Sequence, residues 1–198
     1  MTIDQTRILG EMHLAPYIQI AAANLIGKSR EGGGNMFRHQ IDTMGILIDY
    51  GHVDSVLLKA AIVHDVLEDV HDFNHNNLIS IDFEGHSVYS LVQEVSRRCD
   101  ETKVEFLKRI RETGSQNAKI LKTADRISNM ISLGFVNNLD FVERYIKETE
   151  EHLMPIAVQA SNWMVIELNH LVASRKKYLE SFRKFEIHKR EKDSTEFL

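Results

Sequence analysis

Apolar residues recur at helical intervals through most of the chain. Residues 5–26 carry Ile8, Leu9, Met12, Ala15, Ile20 and Ala23 at mostly helical spacing, with Pro16 marking a break or kink among them. From Phe37 the apolar positions fall at 37, 41, 44 and 48, the stripe of a helix that Gly51 ends. Asp54 is a helix-capping residue for the next segment, predicted to run as one helix to about Asp69. Its middle is apolar on nearly all sides (Val56, Leu57, Leu58, Ala60, Ala61, Ile62, Val63), which predicts a place at the centre of a bundle.

Residues 71–80 read as a polar loop, and helical patterns follow at about 84–98, 100–112, 116–133, 138–153 and 156–186. The last of these repeats Leu168, Leu171, Arg175, Tyr178, Phe182 and Phe185, then turns charged and polar from His188 to the terminus. That pattern predicts a packed C-terminal helix with a solvated, frayed end rather than a partner-binding helix. Val-Ile-Thr alternation and Asn-Gly turns are scarce, so no strand is predicted. The expectation is an all-α bundle forming a single domain.

Between the first two helical stretches lies Gly27-Lys28-Ser29-Arg30-Glu31-Gly32-Gly33-Gly34-Asn35-Met36. Three consecutive glycines favour no regular element, so this segment is predicted to be the most flexible.

Composition narrows the class. The chain has 198 residues, 43% of them hydrophobic, enough for one domain with a core that needs no disulfide staples. A single cysteine, Cys99, fits a reducing, cytoplasmic setting. No leader-like opening and no apolar run of membrane-spanning length are visible, so neither secretion nor a membrane partner is expected. A net charge of −5 argues against a non-specific nucleic-acid binder but leaves room for a local basic pocket. A homo-oligomer is compatible with the sequence, and nothing in it selects one.

The chemistry concentrates in Ile62-Val63-His64-Asp65-Val66-Leu67-Glu68-Asp69. On a helix His64 and Glu68 are i, i+4 neighbours, as are Asp65 and Asp69, giving one imidazole and three carboxylates in a compact patch. The bland reading is an exposed helix end with ordinary acids. On so apolar a segment, uncompensated charge would cost several kcal/mol per group, so a metal or cationic partner is expected. Adjacent residues on one helix cover one side of an ion only, so other segments must contribute. His39 and Asp125 are the candidates; each alone reads as a cap histidine or a surface aspartate. Together the four give two histidines and two aspartates, a set suited to Mn, Fe, Co or Zn and too nitrogen-rich for a dedicated Mg or Ca site. Coordination positions would remain open for water and a phosphate oxygen.

The pattern His39 … His64-Asp65-x-x-Glu68-Asp69 … Lys122-x-Ala124-Asp125-Arg126-x-x-Asn129 resembles the hydrolase domain of RelA/SpoT homologues, a branch of the HD superfamily. Val63 to Asp69 and Lys122 to Met130 look like that family's two signature segments. Ile146-Lys147-Glu148-Thr149 and Met154-Pro155-Ile156-Ala157 are similar to the segment that closes the domain. The resemblance spans about residues 15–160.

It implies an HD-type helical bundle over 1–160, with 161–198 a helical extension packed on it and ending in a polar tail. It also implies hydrolysis of the 3′-pyrophosphate of the nucleotide (p)ppGpp with Mn²⁺ or another divalent transition metal, by a stand-alone alarmone hydrolase without synthetase activity. His39, His64, Asp65 and Asp125 would hold the metal. Glu68 and Asp69 match the acidic pair that orients or deprotonates the attacking water. Lys28, Arg30 and Asn129 match positions that meet the substrate, a reading favoured for the first two over an exposed loop charge.

The chain departs from the family at Glu31 and the three glycines after it, and at Ser128, where histidine is frequent. These departures bear on substrate preference, so ppApp and the 2′-phosphate of NADPH stay open as alternatives, as does an alarmone-binding sensor. Gly27-Lys28-Ser29 only echoes a P-loop, because Ala22 stands where its earlier glycine belongs and no strand precedes it. His71, His75 and His86 lack ligand spacing, and Cys99 lacks a local partner, so none of these is taken as functional.

Overall fold

The computed structural model describes residues 1–31 and 33–195, and side chains as far as Phe185. The architecture is the all-α bundle expected: no strand occurs among the described residues, apart from an isolated bridge between Ser29 and Asn35.

The helices start where the sequence supplies caps. α1 (Ile3–Glu11) opens on Thr2, whose hydroxyl and the Gln5 side chain form a reciprocal capping box. α2 (Ala15–Leu25) has Pro16 in its first turn, so the proline begins a second helix rather than kinking a single one. α3 (Met36–Asp49) is capped by Asn35, which accepts from the Phe37 and Arg38 N–H groups. It ends before Gly51, whose φ of 72° few side chains adopt. α4 (Ser55–Val63) is capped by Asp54, which accepts from Leu57 N–H.

The predicted continuous helix from 54 to 69 is interrupted. After α4 the chain turns at His64 and Asp65 before the short α5 (Val66–Asp69). The His64 ring bonds the Ala61 carbonyl through Nδ1 at 2.8 Å. That carbonyl is the one the helix would otherwise offer to Asp65 N–H, so the side chain competes with the helical ladder at the break.

The 71–80 stretch also differs from a plain loop. It contains the one-turn α6 (Asn76–Ile79), anchored by the fully buried Leu78. α7 (Gly85–Val95), α8 (Lys103–Thr113) and α9 (Gln116–Ser132) follow, the last capped by Ser115. α10 (Leu139–Glu148) continues through a wide π-turn, Thr149–Leu153, into α11 (Met154–Ala160). Pro155 lies in the first turn of α11, and the wide turn before it accommodates a residue that can neither donate nor fit a regular interior. The predicted 156–186 helix is divided at Ser161, which is extended (φ −164°, ψ 125°). Beyond it α12 (Asn162–Thr195) is helical past the predicted frayed start at His188; residues 196–198 of the tail lie outside the described residues.

The core sits around α4 and α9. Residues Leu57 to Val63 are all buried, as the apolar run predicts. α9 packs against α3, α11 and α12. Arg175 of α12 donates to the Met130 and Ile131 carbonyls, supplying partners for the C-terminal end of α9. This packing holds α3, the α4–α5 turn and α9 side by side.

Candidate metal centre

Three separate elements bring their polar side chains to one point. His39 comes from the first turn of α3, His64 and Asp65 from the α4–α5 turn, and Asp125 from the middle of α9. His39, His64 and Asp125 are buried, and their nearest ligand atoms all lie within 4.8 Å of one another. His39 Nε2 is 3.1 Å from Asp125 Oδ1, and His64 Nε2 is 3.8 Å from the same oxygen. Asp65 stands beside this trio and is partly exposed. Its Oδ2 is 3.6 Å from His39 Nε2 and its Oδ1 is 3.3 Å from His64 Nε2.

Each imidazole is held from behind. His39 Nδ1 meets Ser128 Oγ at 2.8 Å, and His64 Nδ1 meets the Ala61 carbonyl at 2.8 Å. The carbonyl can only accept, so His64 carries its proton on Nδ1 and turns Nε2 inward. His64 Nε2 is buried and has no hydrogen-bond partner. An unpaired ring nitrogen beside carboxylate oxygens is the arrangement of a metal ligand waiting on a cation, with its other nitrogen fixed by an outer acceptor. On that observation the donor set fits a divalent metal ion.

The electrostatics agree. Burial pushes the His64 imidazole down, but Asp65 and Asp125 more than offset it and raise it to about 9. The carboxylates thus favour a positive charge at this point of the interior. Burial also pushes the Asp125 carboxyl up, and Lys122, His39 and His64 reverse this and hold it well below its ordinary range. Lys122 Nζ lies 2.7 Å from Asp125 Oδ2, and Asn129 Nδ2 bonds the other oxygen.

Glu68 and Asp69 lie on α5 at the exposed rim of the centre. Burial, with the Asp65 and Glu68 charges added, raises the Asp69 carboxyl to about 6 against the lowering influence of Lys28 and His64. Glu68 is 3.7 Å from Arg97 Nε. These groups, with Arg30, Lys103 and Asn129, line an open cleft of about 380 Å³ that reaches the centre. That volume is in the range of small-molecule sites.

The glycine segment is attached to this cleft. Gly33 and Gly34 have φ of 84° and 83°, and the turn they make places Arg30 against α9. Arg30 Nη2 donates to Asn129 Oδ1, and Nη1 reaches Ser132 Oγ at 3.4 Å. Lys28 is turned elsewhere: its ammonium bonds the Asp69 main-chain carbonyl. Gly32 lies outside the described residues. Of the discounted histidines, His75 bonds Tyr89 Oη at 2.9 Å and takes no part in the cluster.

Several site residues carried no signal in the sequence. Gln40, Lys103 and Arg97 stand in no motif; only the fold turns them inward or to the cleft. Lys122 and Arg126 stood inside a quoted signature without a role. Arg126 is fully buried, stacked on Tyr145 at 4.1 Å and bonded to Thr149 and Glu148. It ties α9 to the end of α10 on the wall of the same cleft.

No family model matches the chain, and no curated protein matches it in sequence. One solved structure that it resembles is that of a metazoan orthologue of SpoT, described as hydrolysing ppGpp and playing a role in starvation responses. The likeness has a TM-score of 0.71 at 21% identity and covers 82% of this chain and 94% of that one. At that identity it establishes a shared fold: the chain is built on the same helical bundle as that SpoT orthologue.

Proposed function

We propose that this protein is a metal-dependent (p)ppGpp 3′-pyrophosphohydrolase, cleaving the nucleotide to GDP or GTP and pyrophosphate. The observation that carries the reading is the buried, unpartnered His64 Nε2 facing two carboxylates and a second imidazole at the foot of an open cleft. The fold shared with a ppGpp-hydrolysing protein supports the choice of substrate.

His39, His64, Asp125 and Asp65 would hold the ion, Mn²⁺ or another divalent transition metal. When bound, such an ion polarises a phosphoryl oxygen and lowers the pKa of water. The chain's own residues do the rest. Asp69, raised to about 6, is ionised at neutral pH yet basic enough to accept a proton from the attacking water. Glu68, braced by Arg97, orients that water. Water oxygen adds to the phosphorus next to the ribose 3′-oxygen, and the bond from that phosphorus to the 3′-oxygen breaks. The 3′-oxygen takes up the proton that Asp69 removed to become a hydroxyl, and pyrophosphate carrying the water oxygen is released.

Arg30 and Asn129 sit beside the metal ligands and are the substrate-binding pair in this reading, Arg30 exchanging Asn129 for the nucleotide. An arginine suits the task because its planar fork stacks on a purine or grips phosphate. Lys28 contributes through Asp69, whose acidity its charge adjusts. In this reading residues 1–160 are the hydrolase unit and 161–198 its extension, in which Arg175 braces the end of α9. No described helix is long and apolar enough to cross a membrane, and the single exposed cysteine suits a reducing cytoplasm.

The test is turnover of ppGpp, ppApp and NADPH by the purified protein, with and without Mn²⁺, read by product separation. Mn²⁺-dependent release of pyrophosphate from ppGpp is expected. Turnover of ppApp or NADPH instead would move the substrate and keep the centre. Silence on all three would replace the enzyme with an alarmone-binding sensor.

A further inference from the structure

The residue after His39 is polar and yet wholly inside the protein. Gln40 has no exposure. Successive helix positions point about 100° apart, so α3 serves two neighbours at once. His39 faces Ser128 and Asp125 on α9, while Gln40 faces the α4–α5 turn and donates from Nε2 to Asp65 Oδ2 at 2.7 Å. The direction of that bond is chemically forced. An ionised carboxylate only accepts, so the amide must present its NH₂ to Asp65. Gln40 Oε1 is then left buried without a partner. A position that served packing alone would be better filled by an apolar side chain, because an interior carbonyl without a donor is destabilising.

The two aspartates of the centre differ in how they are held. Asp125 is clamped by Lys122 and Asn129 on its own helix. Asp65 sits at a chain turn, caps nothing with its side chain, and has Gln40 as its side-chain hydrogen-bond donor among the described residues. A neutral amide fixes the carboxylate while leaving its full negative charge for a cation; a lysine there would neutralise it.

We infer that Gln40 is a positioning residue that holds Asp65 in the orientation needed to bind the metal ion. This rests on the metal-dependent reading above. It makes α3 the element that joins both halves of the centre, through His39 on one side and Gln40 on the other.

The test is metal binding by the full chain after chelation, with Mn²⁺ as the affinity probe and Co²⁺ as the spectroscopic one. Gln40→Met keeps the length of the side chain and removes the donor. Its Mn²⁺ dissociation constant is expected to rise about 10- to 100-fold, the usual effect of losing an outer partner of a metal ligand. The visible absorption of the Co²⁺-loaded protein should change as well, while the metal-free variant unfolds like the wild type. A folded Gln40→Met with wild-type Mn²⁺ affinity and an unchanged Co²⁺ band overturns the inference and leaves the metal reading standing, whether or not its thermal midpoint has moved. Wild-type protein that binds neither ion overturns both. If Gln40→Met does not fold, Gln40→Leu poses the same question, and retained affinity there is equally fatal.

Discussion

The foot and the rim of the cleft are built by opposite means. At the foot, His39, His64 and Asp125 are buried side chains on packed helices, and each has a second group holding it from behind. At the rim, Arg30 reaches in from a glycine-rich turn and is held through the end of its long side chain, while Lys28 is tied to the Asp69 carbonyl. The foot is pre-organised, as a site must be to bind an ion without rearrangement. The rim can exchange its internal partners for a ligand, since Arg30 gives up one hydrogen-bonded side chain to take another. On the proposed reading the same cleft keeps metal binding at its foot and substrate binding at its rim, and variants should separate the two.

The largest effect is expected at the foot. His64→Ala should lose the bound metal and all measurable turnover together, and metal analysis showing full occupancy in that variant would remove His64 from the ligand set. Next is the boundary between the two regions. Asp69→Asn should keep its metal and lose about 10²- to 10⁴-fold in kcat, the range for a positioned general base; normal turnover would break the catalytic assignment.

At the rim the loss should be one of binding. Arg30→Ala should raise KM about tenfold, equivalent to one charge-assisted hydrogen bond, with metal content and kcat less affected. An unchanged KM would show that the glycine turn does not meet substrate. Gly34→Ala puts a side chain at φ 83° where no atom crowds it, so the penalty is one of backbone strain. A loss of about 1–2 kcal/mol is expected, read as a fall of several degrees in thermal midpoint, together with a raised KM.

The smallest effect lies at the cleft wall, where Glu148 pairs with Arg126. Burial pushes the Glu148 carboxyl up, but Arg126 and Lys103 outweigh it and hold it below its ordinary value. A depressed folded-state pKa stabilises the protein above the unfolded value of about 4.3 and ceases to do so as pH falls through the folded one. Glu148→Gln should therefore unfold at a lower temperature than the wild type near neutral pH, with the gap closing in acid. A gap that stays constant with pH would assign the loss to packing.

Much of the framework was legible in the chain. Asp54 was legible as a cap, and the structure adds Thr102, Ser115 and Asn138 as caps close to where the apolar patterns begin, because capping and periodicity act over a few residues. The candidate ligands were legible as residue types at suggestive spacings, since charges set in an apolar run demand compensation. The interruption at His64 and Asp65 was not, because it involves a ring bond to a backbone carbonyl that competes with a helix the composition favours. Nor was the short α6, which stands on the burial of Leu78 rather than on any local preference.

By itself, then, the sequence determined that the chain would form helices, where most of them begin, and that imidazoles and carboxylates set in an apolar run call for compensation. Only the tertiary structure decided that α3, the α4–α5 turn and α9 would meet at one point, that Ser128 would back His39, and that Gln40 would be turned inward onto Asp65. Local patterns are set by neighbours a turn apart, whereas these contacts join residues 25 and 89 positions apart. They exist because burying the apolar faces of the helices fixes which polar side chains are carried inside.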